Sequence, residues 1–140
     1  MDKNIFKLRA SYYETDRMKI VHHSNHIRYF EDARISFMHN IGCDVYELEK
    51  TGILIPNIEA YAKYKKPIKF FDEVCVEVKL VKFNGVRMKF EYVIRICETD
   101  EIAATGFTSH CFADENLVPK SIKHSFPEEY KILLQNTVSE

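Results

Sequence analysis

The sequence predicts an α+β domain in which one long helix lies on the concave face of a curved antiparallel sheet. Three observations carry this. Apolar residues recur at helical spacing through Ile27, Phe30, Ala33, Phe37, Met38 and Ile41. Later in the chain the period becomes two, with Val86, Met88, Phe90, Tyr92, Ile94 and Ile96 alternating with Arg87, Lys89, Glu91, Val93 and Arg95. Asn84-Gly85 separates that run from the strand-like Val74, Val76, Val78 and Leu80, and favours a tight type I′ hairpin. A helix and antiparallel strands segregated along a chain pack as two layers.

Taken in order, Ile5 to Tyr13 reads as a first strand, rich in aromatic and β-favouring residues. Ser24 or Asn25 caps the helix, and Gly42 suits a left-handed stop at its end. Tyr29 and Ile35 widen the apolar stripe, so the helix should be covered on most sides. A short helix from Val45 to Lys50 leads through Thr51-Gly52 to a strand near Ile55 to Tyr64. The two alternating runs follow, and after Thr99-Asp100 comes a last strand, Ile102 to Phe112. The expected order is strand, long helix, then a meander of four strands. Gly106 would let the helix approach the sheet closely. Without repeats or a linker, residues 1–140 read as one domain.

Composition narrows the classes of function. A chain of 140 residues buries about 68–70% of its unfolded surface, enough for a single core. Apolar residues at 46% and charged residues at 29% exclude a disordered chain. With a net charge of −1 no overall field favours nucleic acid or an anionic membrane, so a polyanionic ligand needs a local basic cluster. Cys43, Cys75, Cys97 and Cys111 form no C-x-x-C pair and read as buried, reduced thiols rather than disulfides or zinc ligands. The start, Met1 to Phe6, has no signal-peptide pattern, and no run approaches the roughly 18 apolar residues of a membrane span. A cytoplasmic protein is expected.

The stretch Tyr13 to Arg34 carries the chemistry. A polar turn holding Asp16 precedes the helix, which places a carboxylate beside backbone N–H groups that lack intrahelical partners. A carboxylate next to an oxyanion site is a minimal kit for attacking an activated acyl group. A thioester suits it, because a thiol of pKa about 8.5 departs as thiolate without a general acid. The plainer role for Asp16 is turn closure. His22, His23 and His26 invite a metal, but adjacent histidines at a helix start do not converge as zinc ligands must, so none is expected.

These residues resemble a motif of the hotdog-fold acyl-CoA thioesterases, in the branch around 4-hydroxybenzoyl-CoA thioesterase. That motif reads approximately Tyr-x-x-Thr-Asp-x-x-Gly-x-Val-x-His-x-Asn-Tyr, followed by Glu-x-Ala-Arg on a helix. Tyr13, Thr15, Asp16, Val21, His23, Asn25, Glu31, Ala33 and Arg34 fill its places. Tyr64-Lys65-Lys66-Pro67, Asp72, Gly106 and His110 extend the likeness over roughly residues 5 to 125. The resemblance implies a curved antiparallel sheet wrapped around one long central helix, hydrolysis of an acyl-CoA thioester to a free carboxylic acid and coenzyme A, no cofactor, and a homodimer or homotetramer. It assigns the chemistry to Asp16, with the His23 backbone N–H as oxyanion contact and Glu31 as a second carboxylate. Glu31 reads equally as an ion-pair partner of Arg34. Val21 and Asn25 are expected to contact substrate.

Coenzyme A carries phosphates, so cations should lie at the pocket mouth. Lys82, Arg87 and Lys89 flank the Asn84-Gly85 hairpin, with Arg87 and Lys89 on one strand face, and are the candidates; a solvated strand face is the alternative. The chain departs from the motif at Lys19, where glycine is usual, and at His26, where tyrosine is usual. A lysine in a glycine's place strains or narrows that spot. Two other readings stand beside acyl-CoA hydrolysis: cleavage of acyl-carrier-protein thioesters, and a hotdog protein that binds acyl-CoA without cleaving it.

Overall fold

A computed structural model describes residues 4–139. Strand β1 (Ile5–Arg9), helix α1 (Ser24–Asn40), helix α2 (Val45–Glu49), strands β2 (Asn57–Tyr64), β3 (Glu73–Phe83), β4 (Arg87–Ile96) and β5 (Ile102–Cys111), and helix α3 (Pro127–Gln135) follow in that order. All five strands form one antiparallel sheet in the order β1-β3-β4-β5-β2. This is the hotdog arrangement expected, with α1 packed on one face of the sheet.

The helix reaches the sheet through aromatic packing. Phe30 stacks on Tyr92 of β4 with centroids 4.4 Å apart, and Phe37 meets Phe90 edge-on at 6.2 Å. Gly106 makes the first contact possible: a Cβ there would lie 2.6 Å from the Phe30 ring and would collide with the Tyr61 carbonyl. At its C-terminus α1 closes as a Schellman motif. Gly42 adopts φ 93°, its N–H donates to the His39 carbonyl, and the Cys43 N–H donates to Met38.

Several expectations are corrected. The first strand ends at Arg9 rather than Tyr13, because Tyr12–Glu14 form a 3-10 turn that swings the chain toward α1. Neither Ser24 nor Asn25 caps α1. Both lie inside the helix, and the His22 ring accepts the Ser24 N–H instead. Ile35 is exposed beside Glu31 and Asp32, so one face of α1 stays open. The four-strand meander is three strands: β2 pairs with β5, and residues 65–72 carry the chain across to β3. Asn84 and Gly85 do form a turn between β3 and β4, but not of type I′. Among the described residues there only Gly85 has positive φ, and the Asn84 side chain accepts the Val86 and Arg87 N–H groups.

Helix α3 has no counterpart in the sequence reading. Pro127 at its start and two acidic residues in its first turn are the signals that could have found it. Tyr130 packs on Phe83 at 5.6 Å, and Leu133 is fully buried. The thiols divide as well. Cys75 and Cys97 are disulfide-bonded, while Cys43 and Cys111 are free and buried. The β3–β4 register sets Cys75 opposite Arg95, which puts Cys97 diagonally across on the same face with Cα atoms 5.8 Å apart. A separation of 22 residues hides that proximity in the sequence.

Candidate active site

Two short backbone pairings build the turn before α1. Thr15 and Val21 bridge each other, the Asp16 N–H donates to the Ile20 carbonyl at 2.9 Å, and Lys19 N–H donates to the Asp16 carbonyl at 2.9 Å. One Asp16 carboxylate oxygen accepts the Met18 N–H at 2.7 Å; the other takes no hydrogen bond among the described residues. The turn closes with Lys19 at φ 64°, the left-handed region where glycine is at ease. That fulfils the strain expected of a lysine at this position. The narrowing does not occur, because Lys19 is exposed and lies outside the cavity lining.

Glu14 ties the turn to the helix. Its carbonyl accepts the His22 N–H at 2.8 Å and the Asn25 side-chain amide at 2.9 Å. Its carboxylate accepts the Ser11 N–H and the Tyr29 hydroxyl, both at 2.8 Å. Burial and this carboxylate push the Tyr29 hydroxyl far above its ordinary pKa, so it stays a donor. Asn25, expected at the substrate, is instead 5% exposed and holds Glu14. Sequence reasoning missed Glu14 in this role, since a carbonyl acceptor leaves no mark on residue type.

The helix start is thereby fixed with one donor unused. The His23 N–H makes no hydrogen bond among the described residues, although the N–H groups of His22, Ser24, Asn25 and His26 all do. The His23 carbonyl accepts from the His26 N–H and the Tyr64 hydroxyl, both at 3.2 Å. The His26 ring is buried against Tyr64, with centroids 4.7 Å apart. Burial pushes the His26 pKa below its ordinary value. A cavity of about 390 Å³ opens here, lined by Asp16, Val21, His23, His26 and Tyr64, with Met18, Ile20 and Ile68 as apolar wall and Lys65 and Lys66 at its edge.

The other candidates lie elsewhere. Glu31 is exposed on α1, 3.7 Å from Arg34, beside a separate hollow of about 150 Å³. Arg34 in turn donates to Nε2 of the buried His110 at 3.1 Å. Arginine only donates, so Nε2 is the acceptor and the proton sits on Nδ1, which is buried without a partner among the described residues. Lys82, Arg87 and Lys89 line a third cleft, of about 700 Å³, with Phe107 and Ser109; the Lys89 ammonium lies 4.8 Å over the Phe107 ring. One chain therefore unites Asp16, Val21 and His23 and separates them from Glu31 and the basic trio. Among the described residues no group of three His, Cys, Asp or Glu side chains is placed to hold a metal ion. No described helix is long and apolar enough to cross a membrane.

A five-stranded antiparallel sheet packed on one long helix defines the hotdog class of fold. Residues 11–131 match the Thioesterase-like superfamily, and the chain belongs to that family of hydrolases acting on thioesters. It is 34% identical to an Aquifex aeolicus protein named "Putative esterase", over 84% of this chain and 93% of the relative. A Bacillus subtilis protein named "Putative acyl-CoA thioesterase YneP" is 28% identical, over 87% of this chain and 88% of the relative. Among solved structures, a DHNA-CoA thioesterase from Staphylococcus aureus superposes with a TM-score of 0.91 at 29% identity, covering 94% of this chain and 89% of that one.

Proposed function

We propose that the protein hydrolyses an acyl-CoA thioester in the cavity between Asp16 and the start of α1. The observation that carries this reading is the pairing of an unengaged Asp16 oxygen with the unused His23 N–H at one cavity. Asp16 supplies the electron pair, to a water whose proton it takes or directly to the acyl carbon. The carbonyl oxygen gains negative charge as the tetrahedral intermediate forms, and the His23 N–H, at the positive end of α1, receives it. Collapse breaks the C–S bond and expels coenzyme A as thiolate; the water route leaves the carboxylic acid at once, whereas direct attack leaves a mixed anhydride on Asp16 that a water then hydrolyses to the acid and the free carboxylate. The acyl group packs against the apolar wall, and Lys65 at the cavity edge meets phosphate. The cleft of Lys82, Arg87 and Lys89 is separate within one chain, so a phosphate role for it requires a second copy to bring the two together.

A second copy is part of the proposal. Strand β2 borders the sheet, pairs only with β5 among the described residues, and exposes Ile58, Tyr61 and Tyr64. Light scattering on the purified protein checks this by returning twice the chain mass or a multiple of it.

The activity test is thiol release from short, long, branched and aryl acyl-CoAs, compared between the wild type and Asp16→Asn. The asparagine keeps the oxygen that accepts the Met18 N–H, so the turn should persist while turnover falls about 10²-fold or more. Retention of more than about a tenth of wild-type turnover removes Asp16 from the chemistry and moves attention to Glu31. An acyl-carrier-protein thioesterase would release thiol from a carrier-bound acyl group in preference to the CoA ester. A binding protein would release none from either.

A further inference from the structure

We infer that the Cys75–Cys97 disulfide is a thiol-exchange site, where a small-molecule thiol enters from an open cleft, bonds to Cys97 and releases Cys75 as thiolate. Of the four cysteines, these two alone are partly exposed. Cys43 and Cys111 are free but buried, and burial pushes the Cys43 thiol up to about 12, so it stays protonated and inert. On β3 the buried Val74, Val76 and Val78 face the core, which turns Cys75 to the opposite face of the sheet, away from α1.

The two sulfurs stand in different surroundings, and the difference assigns their roles. Cys75 sits between cations. The β1–β3 register sets Lys7 directly opposite it on one side, and the β3–β4 register sets Arg95 opposite it on the other. Residues so paired share a face, with Cβ atoms about 5 Å apart. Cys97 sits beside carboxylates: its N–H donates to the Glu73 carbonyl at 2.9 Å, and Glu98 follows it in the chain. Glu73 and Glu77 also flank Cys75 along β3, but each has its own cation, Arg9 at 3.5 Å and Lys79 at 4.0 Å. A thiolate is therefore better held at Cys75, and the sulfur with the more stable thiolate is the better leaving group.

Access points the same way. Cys97 lines a cleft of about 670 Å³, and Cys75 does not. The cleft sets Lys7 and Arg9 against Asp72, Glu73 and Glu98, so its charge gives no advantage to an anionic thiol, and a small nucleophilic sulfur is what it admits. The exchange balances without an added oxidant. The incoming thiolate bonds to the Cys97 sulfur as the bond to Cys75 breaks, and the electron pair of that bond leaves on Cys75. One disulfide replaces another, and the proton of the incoming thiol passes to water. Attack by the Cys75 thiolate on the mixed disulfide reverses the step and closes the clasp between β3 and β4. A second small thiol attacking it instead frees Cys97 and departs as the small-molecule disulfide.

The experiment exposes the full folded chain to glutathione, quenches with acid and maps the cysteines by mass spectrometry. Early products should carry glutathione on Cys97 and a free thiol at Cys75, and none should carry glutathione on Cys43 or Cys111. Lys7→Gln and Arg95→Gln should each slow opening about threefold, because each removes a cation that holds the departing thiolate. Cys75→Ser treated with glutathione disulfide should keep a glutathione on Cys97, since the sulfur that would expel it is gone; the wild-type map decides the matter should that variant fail to fold. Glutathione found first on Cys75, or equally on both sulfurs, overturns the assignment, as do unchanged opening rates in both charge variants. A disulfide that resists excess glutathione until urea unfolds the chain is a structural clasp and overturns it too. So does protein isolated with four reduced thiols that glutathione disulfide does not close. No readout depends on thioester hydrolysis, so failure here leaves the function proposed above untouched.

Discussion

Two regions of this chain, the centre of the sheet and the turn before α1, treat their polar and apolar groups in opposite ways. At the centre of the sheet Phe30 lies flat on Tyr92, Gly106 leaves no room for a Cβ, and the Tyr92 hydroxyl meets Thr108 at 2.5 Å. At the turn from Asp16 to His23 a carboxylate oxygen and a backbone N–H are left without partners among the described residues, and a lysine stands at positive φ. The centre is packed as interiors of crystal density are, with the His110 Nδ1 as an exception in hydrogen bonding among the described residues. The turn is built to be completed by something else. Unused hydrogen-bonding capacity is costly where it is buried and useful where a reacting group can claim it.

The largest expected effect breaks the complete region. Gly106→Val should destabilise the fold by about 3 kcal/mol or more, since its Cβ must displace the Phe30 ring or the Tyr61 strand. Urea unfolding measures it, and an unchanged midpoint would show that α1 does not depend on this approach. A smaller effect sharpens the contrast through pH. Burial, then the Arg34 cation, hold the His110 imidazole down to about 3, against about 6.5 in an unfolded chain. Between those values the unfolded state binds a proton that the folded state refuses. Stability from this group is therefore full above about pH 6.5 and falls with decreasing pH, by at most about 1.4 kcal/mol per unit. Unfolding midpoints compared between pH 7 and pH 4 should fall more steeply in wild type than in His110→Gln; parallel slopes would exonerate His110.

The smallest effect concerns the strained turn. Lys19→Gly should stabilise the protein by up to about 1 kcal/mol, because relief of the left-handed conformation outweighs the added freedom of the unfolded glycine. Turnover and acyl range should stay as they are, since the lysine lies outside the cavity. A fall in kcat with KM unchanged would instead make the lysine part of the chemistry.

Much of the fold was legible because it rests on periodicity. The α1 stripe and the alternation in β4 are local patterns, and each imposes its element whatever surrounds it. The hotdog class and the thioesterase family followed from a motif in which residue types recur at fixed spacing. The place of Asp16 in a turn and of His23 at a helix start was likewise readable, since both are local structures. The place of β2 was not readable, because strand order is decided by which edge is free when the sheet forms. Glu14 escaped for a different reason: it acts partly through its carbonyl, which every residue possesses.

By itself, then, the sequence determined helix α1, the alternating strands, the carboxylate before the helix and the glycine beneath Phe30, all matters of residue type and short spacing. Only the tertiary structure decided that Cys75 and Cys97 join, that Asn25 is buried against Glu14, and that Lys82, Arg87 and Lys89 face a cleft apart from Asp16. Each of those depends on strand register or on which buried group lies nearest, and both are set by packing the whole chain into one least-volume arrangement.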